Sequence, residues 1–344
     1  MTEKFKERVR VYSHLCIVLS FIIALCLLAR PFIIPLAFSF LFALLLNPFL
    51  RRLENWGMRR IFAIIIILLA FVILLGSFLY FLGFQASMLM QDLPSIQDRI
   101  LELAESTLSD IRARFGLNYP DKEQMFSDAL GRVAPFFGNL VSTTSSLATV
   151  LVQIPVYVFL IMLYKDRFRR FLISVTHNSA EGAQGRIDEV KSVVQGYVTG
   201  LFVVIGILTV LNSLGLWALG IRYAWFFGVF SAVLTVIPYL GNFIGGALPF
   251  IVALVTKDSM WYAVGVVALY TVIQFIEGNF ITPNIMGSRV SVNPLAALIS
   301  MIIGAQLLGL AGIILAIPIL GILKVTFAHS NTLKPLVILL EDRS

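Results

Sequence analysis

At 344 residues, with 59% of them hydrophobic and 13% charged, the chain lies far from the roughly 25% charge of ordinary soluble domains and reads as an all-α, polytopic integral membrane protein. Its net charge of +7 is explained by Lys and Arg held on the cytoplasmic side, and no basic tract with interleaved aromatics argues for nucleic acid. Cys16 and Cys26 stand about 15 Å apart on one apolar helix, too far for a disulfide, and His14, His177 and His329 are scattered. No GxGxxG, P-loop or GxSxG sequence occurs, so metal catalysis, nucleotide-driven pumping and serine hydrolysis lack a motif, and no cofactor and no enzyme activity are expected.

Residues 1–91 divide into three predicted spans. Lys4, Lys6, Arg8 and Arg10 precede an apolar run from Val11 to Ala29 with no small-residue cleavage site after it, which predicts an uncleaved first span with its amino terminus inside. Arg30-Pro31 leads into a second run, Phe32–Leu50, which ends at the arginine-bounded loop RRLENWGMRR (51–60), and the uncharged stretch Ile61–Gln91 carries the chain back out. Residues 92–139 then change character: eight acids face five bases over 92–132, and Ile96, Ile100, Leu103, Ile111 and Phe115 recur at helical spacing, as do Met125, Phe126, Ala129, Leu130 and Val133. This pattern predicts two amphipathic helices, joined near Gly116–Pro120, that form a small extracytoplasmic insertion serving packing and oligomerisation or, alternatively, substrate capture.

Within 140–195 a fourth span ends at Tyr164, before Lys165, Arg167, Arg169 and Arg170, and an amphipathic segment with Ile187, Val190, Val194 and Tyr197 on one face is expected along the inner interface. Residues 196–327 form the motif-rich membrane core, followed by a cytoplasmic tail at 328–344. After a fifth span, Gly196–Leu219, two uncharged stretches of 34 residues each, Tyr223–Thr256 and Val290–Leu323, would as straight helices run roughly 50 Å against a hydrocarbon core of about 30 Å. Both contain breakers: Pro238, Gly241, Gly245, Gly246 and Pro249 in the first, Gly304, Gly309, Gly312 and Pro318 in the second. Each is read as a re-entrant hairpin or a broken span, because broken backbone at membrane depth persists only inside protein or along a watery cavity. Helix packing is the competing use of these residues.

Between the two stretches lies TVIQFIEGNFITPNIMGSRVSVNP (271–294), a long apolar helix carrying one acid, Glu277, before a Gly/Pro/Asn-rich turn. A carboxyl at that depth is costly and points to function. Gln274 precedes it by three residues on the same face and Asn279 follows at the helix end; burial raises a carboxyl's proton affinity, while a nearby Arg289 opposes that. The expected transport pathway comprises Glu277, Asn279, Gln274, Pro283, Asn284 and Arg289 with Pro238, Gly241, Asn242 and Pro249, whose amides and broken-helix termini suit a neutral polyol or a hydrated cation.

The runs IPYLGNFIGGALP (237–249), QFIEGNFITPNIMGSRVSVNPL (274–295) and GLAGIILAIPI (309–319) closely resemble the autoinducer-2 exporter family of bacterial membrane proteins. The resemblance covers nearly the whole layout, with departures at Asn242, where many relatives have Pro, and at Thr282, where some have Glu. It implies an inner-membrane helical protein of about eight membrane elements, both termini cytoplasmic by the positive-inside pattern, assembled as a homo-oligomer, a pentamer by resemblance, without a covalent cofactor. The implied function is export of a small polar signalling solute of the autoinducer-2 type, with sodium/proton antiport, or a non-transporting membrane scaffold, as alternatives. The expected partners are that solute or a monovalent cation, and the lipid bilayer.

Overall fold

The computed structural model describes residues 21, 23–25, 27–115, 152–174, 180–237, 240–286, 292–330 and 333–341, except for the side chains of 93–115, 180–181, 240 and 242. Among these residues the chain is helical, and pairing of the β type is limited to one isolated bridge, Val292 with Glu341. The helices are α1 (Arg30–Asn55), α2 (Arg60–Phe115), α3 (152–174), α4 (Ala180–Ala218), α5 (Ala224–Leu234), α6 (Leu240–Thr256), α7 (Trp261–Ile276), α8 (Thr282–Met286), α9 (Pro294–Leu308), α10 (Leu310–Ala328) and α11 (Lys334–Leu340). A π-helical turn, Glu277–Ile281, joins α7 to α8. Among the described residues, five stretches are long and apolar enough to cross a membrane: Arg30–Asn55, Arg60–Asp92, Gly182–Ala218, Trp261–Met286 and Leu310–Ala328.

Two compact units share the chain. The first gathers Met1–Leu68, Val152–Thr199 and Met286–Ser344, and the second Leu69–Leu151 and Gly200–Ile285. Both 34-residue stretches fold as helical hairpins, α5 with α6 in the second unit and α9 with α10 in the first. In each case the two helices pack against one another, as the first of the two sequence alternatives, a re-entrant hairpin, requires of its arms.

Two boundaries differ from the sequence expectation. The helix begun by the third span runs on as α2 to Phe115, so the first amphipathic helix of the insertion continues a membrane helix; the second, beyond 116, lies outside the described residues. Of segment 165–195, residues 165–174 end α3 and residues 180–195 begin α4, whose Val194 and Tyr197 are buried; residues 175–179 lie outside the described residues. Helix α2 continues through Pro94, whose missing N–H costs one rung of the ladder, and α4 runs through Gly182, Gly185 and Gly196; the helix-forming residues on either side carry each helix across these positions.

In the first unit, α1 contains Pro35 and Pro48 and is followed by Gly57, which adopts φ 86°, a conformation open mainly to glycine. Its Ser39 hydroxyl donates to the Pro35 carbonyl at 2.6 Å and lies 3.2 Å from that of Ile154 on α3. Near the far end of α1, Lys165 donates to Asn47 (3.3 Å) and pairs with Glu54 (3.7 Å), while Arg60 binds Asp166 and the Met162 carbonyl. The Arg60 hydrogen bond holds the Asp166 carboxyl below its usual range, and burial, opposed by Glu54, lowers the Lys165 ammonium.

The second unit has a contiguous apolar core. Phe226, Phe227, Leu216, Ala253, Ala263 and Val266 are its most deeply buried members. The loop from α4 to α5 turns sharply, with Gly220 at φ 65° and Tyr223 at φ 62°. A non-glycine residue there is strained, and Asp92 holds the loop in place: the Tyr223 hydroxyl donates to it at 2.6 Å and Arg222 pairs with it at 2.9 Å. Burial first, then that hydrogen bond, pushes the Tyr223 hydroxyl pKa up.

Candidate functional site

The second unit builds the candidate site from the α5–α6 hairpin and the helix opposite it. Glycines set the hairpin's closeness: a Cβ on Gly241 would strike the Thr235 backbone, and one on Gly245 would strike Ser231. Helix α7 then crosses with Tyr270, whose ring lies 3.3 Å from where a Gly246 Cβ would stand and whose hydroxyl donates to Ser231 at 3.1 Å. Ser231 in turn donates a hydrogen bond to the Phe227 carbonyl at 2.7 Å. One tyrosine therefore touches both arms of the hairpin through a fully satisfied polar chain, the condition under which buried polar groups add rigidity. Pro249, buried within α6, removes the hydrogen bond that the Gly245 carbonyl would otherwise receive.

A short link, Lys257–Met260, makes α6 and α7 antiparallel neighbours. Because Gly246 meets Tyr270, stepping four residues along each helix sets Asn242 level with Gln274. Gly241 is then level with Phe275, and Glu277 lies less than a turn further along. This register sets the start of α6 at about the height of the acid.

Beyond Ile276 the helix does not break, as its Gly-Asn-Pro content suggests, but widens. The Thr282 N–H reaches back five residues to the Glu277 carbonyl, and the Asn279 amide donates to the Phe275 carbonyl at 2.8 Å. The wider turn admits Pro283, which lacks an N–H and crowds the carbonyl four residues before it, and the helix resumes as α8 to Met286. Glu277 is half-buried, whereas Gln274, Asn279, Pro283 and Asn284 are exposed on the single chain. Pro238, Arg289 and the Asn242 side chain lie outside the described residues. A surface recess of about 440 Å³, lined by Val203, Gly206, Ile207, Val210 and Leu211, offers only apolar walls and no polar solute contact.

The second hairpin differs in kind. Gly309, at φ 65°, makes the turn from α9 to α10 almost without a loop, and Gly304 and Gly312 bring the two backbones into contact. Arg30 closes its tip by donating to the Leu307 (2.6 Å) and Gln306 (2.9 Å) carbonyls, which the end of α9 leaves unpaired. At the base, Asn293 caps α9 through the Ala296 N–H and its side chain donates to the Leu339 carbonyl. The spacing of apolar and polar residues does not reveal the contacts of Tyr270, Ser231 or Arg30; Ser231 and Tyr270 carry only the weak signal of a hydroxyl inside an uncharged stretch.

Apolar helices, two hairpins and a π turn with a half-buried acid define a multi-pass helical membrane protein built like a transporter. Residues 15–332 match the family described as AI-2E family transporter, and the chain belongs to that family. It is 27% identical over 315 residues to YrrI of Bacillus subtilis (strain 168), covering 88% of each chain. It is 24% identical over 319 residues to the AI-2 transport protein TqsA of Escherichia coli (strain K12), covering 91% of this chain and 90% of that one. The motif-based resemblance and the family match agree.

Proposed function

We propose that this protein exports a small polar solute of the autoinducer-2 type across the bacterial inner membrane, as a secondary transporter or facilitator. The observation that carries the reading is the α5–α6 hairpin set level with the π turn at Glu277. With 11 and 17 residues, its arms reach about 16 and 25 Å, short of a core of about 30 Å. Exposed Trp217, Trp225 and Trp261 stand at the end of α4 and the starts of α5 and α7, as interfacial tryptophans do. The hairpin thus enters from one interface and turns within the membrane, where broken backbone is useful to a polar solute.

Helix α9, with 15 residues, is again too short to cross alone; reading α9–α10 as re-entrant by analogy gives two such elements among eight, with an extracytoplasmic insertion over 92–139 and cytoplasmic termini. Exposure of Gln274, Asn279, Pro283 and Asn284 on one chain favours a homo-oligomer, which would enclose them. The relative named for AI-2 transport supports the solute class. Glu277 favours the alternative, sodium/proton antiport, since a half-buried acid is what proton coupling needs; a scaffold has no use for it.

Proteoliposomes loaded with autoinducer-2, or with sodium under an imposed pH gradient, test the reading. Autoinducer-2 flux well above that of empty vesicles is the expected result. Sodium movement alone establishes antiport instead, and movement of neither leaves the scaffold.

A further inference from the structure

Helix α4 carries two polar residues that the proposed pathway does not use. Asn212 and Ser213 are fully buried, and among the described residues neither the Asn212 amide nitrogen, its oxygen, nor the Ser213 hydroxyl has a hydrogen-bond partner. They lie within the apolar stretch Gly182–Ala218, about 9 Å along the helix from its end at Ala218. Other hydroxyls of this unit are satisfied on their own helices: Ser231, Thr235, Thr256 and Thr271 all donate to a carbonyl three or four residues back. Ser213 has the same option and does not take it. Leaving three polar atoms dry in a membrane interior costs several kcal/mol, a cost that persists when another state of the molecule uses those atoms.

What covers Ser213 is backbone. Gly228 of α5 lies against Ser213 so closely that a Cβ at 228 would collide with its hydroxyl, nitrogen and Cα. Helix α5 is an arm of the hairpin placed in the transport pathway above, so a shift of that arm uncovers Ser213. The chemistry of the pair selects the ligand. An amide and a hydroxyl both donate and accept, which matches adjacent hydroxyl and carbonyl groups. A monovalent cation would need more oxygens than the two that Asn212 and Ser213 supply.

We propose that Asn212 and Ser213 form an occluded binding site for a small neutral hydroxyl-bearing solute, closed in this conformation by Gly228 and opened by movement of the α5 arm. This rests on the transport reading and is tested separately from it. In a background with Cys16→Ser and Cys26→Ser, Ser213→Cys and, as a dry-core reference, Val266→Cys are treated in native membranes with methyl methanethiosulfonate. Opening predicts labelling of Ser213→Cys at least about tenfold faster than the reference, because a thiol reacts only when reached by reagent and water. Equal rates overturn the site whatever the substrate proves to be.

The second arm uses Asn212→Leu. A binding role predicts assembled protein with unchanged or raised thermal stability and autoinducer-2 flux reduced by at least about tenfold, from lost solute hydrogen bonds. Flux within twofold of wild type overturns the role. If the wild type carries sodium and not autoinducer-2, the neutral-solute class is wrong and the inference fails, even where labelling shows that the pair opens. If it carries neither, the transport reading fails, and with it the inference that rests on it.

Discussion

The two hairpins are built from similar lengths of uncharged sequence and solve the same problem differently. In α9–α10 the arms meet glycine to glycine, the turn is a single left-handed Gly309, and a charged residue from outside, Arg30, seals the tip. In α5–α6 the arms meet through Gly241 and Gly245, but a hydroxyl chain from Tyr270 to Ser231 to the Phe227 carbonyl ties them to the next helix, and uncommitted polar atoms lie beside the arm. Both hairpins have close backbone contacts, Gly304 with Gly312 in one and Gly241 with Thr235 in the other, so the difference lies in what secures them: a charged seal at the tip in the first, a chain of neutral hydroxyls in the second. Neutral side-chain hydrogen bonds can be exchanged for bonds to water or a solute at small net cost. The first hairpin is therefore a fixed element, and the second is where movement and solute binding belong.

The largest expected effect breaks the fixed hairpin. In Gly304→Val the added atoms meet the Gly312 carbonyl and Cα, which are backbone and cannot yield, so a loss of about 3 kcal/mol or more is expected from overpacking alone. The yield of monodisperse protein after detergent extraction should collapse. Full recovery of folded protein would show that the α9–α10 contact is loose and that the contrast between the hairpins is wrong.

Glu277→Gln comes next, in the adjustable half. Protein yield should be unaffected, since the change conserves shape at a half-buried position. If the transported species is a neutral solute, substantial flux persists with an altered pH profile; if it is a cation exchanged for protons, pH-dependent exchange falls by about tenfold or more, about 1.4 kcal/mol in barrier. Wild-type flux and pH profile together with a lower melting temperature would reduce Glu277 to a packing group.

Arg30→Gln tests the seal on the fixed hairpin. It removes charge-assisted hydrogen bonds to the Leu307 and Gln306 carbonyls, each of a kind that contributes roughly 1.5–3 kcal/mol, and exposes the end of α9. A melting temperature lowered by several degrees is expected, with flux per folded molecule little changed. A large loss of flux at unchanged stability would make the first hairpin the moving one.

Much of this contrast was legible in the sequence because length and charge are physical constraints. Thirty-four uncharged residues with central breakers cannot form one upright helix, and both such stretches fold as hairpins. The family followed from local runs around Glu277, where motif and chemistry coincide. The pairings were not legible: Tyr270 and Ser231 are 39 residues apart, and Arg30 reaches across 277 residues, separations at which periodicity carries no information. The π turn was also hidden, because a Gly-Asn-Pro sequence signals termination and only the observed ladder shows that the helix widens and continues. Asn212 and Ser213 could have been singled out by the argument that selected Glu277, a polar group inside an apolar span; being uncharged, they gave a weaker signal.

The smallest expected effect probes the hydroxyl chain itself. Tyr270→Phe deletes one donor and leaves the ring against Gly246, while Ser231 keeps its bond to the Phe227 carbonyl. No buried group is left unpaired, so the loss should be about 1 kcal/mol, the net contribution of one ordinary hydrogen bond. The melting temperature should fall by a few degrees at most. Because the α5 arm is then held to α7 by apolar contact alone, labelling of Ser213→Cys in the same cysteine-free background should speed up. Slower labelling would mean that Tyr270 helps to open the arm, and an effect on stability as large as that of Gly304→Val would mean that the second hairpin is as rigid as the first.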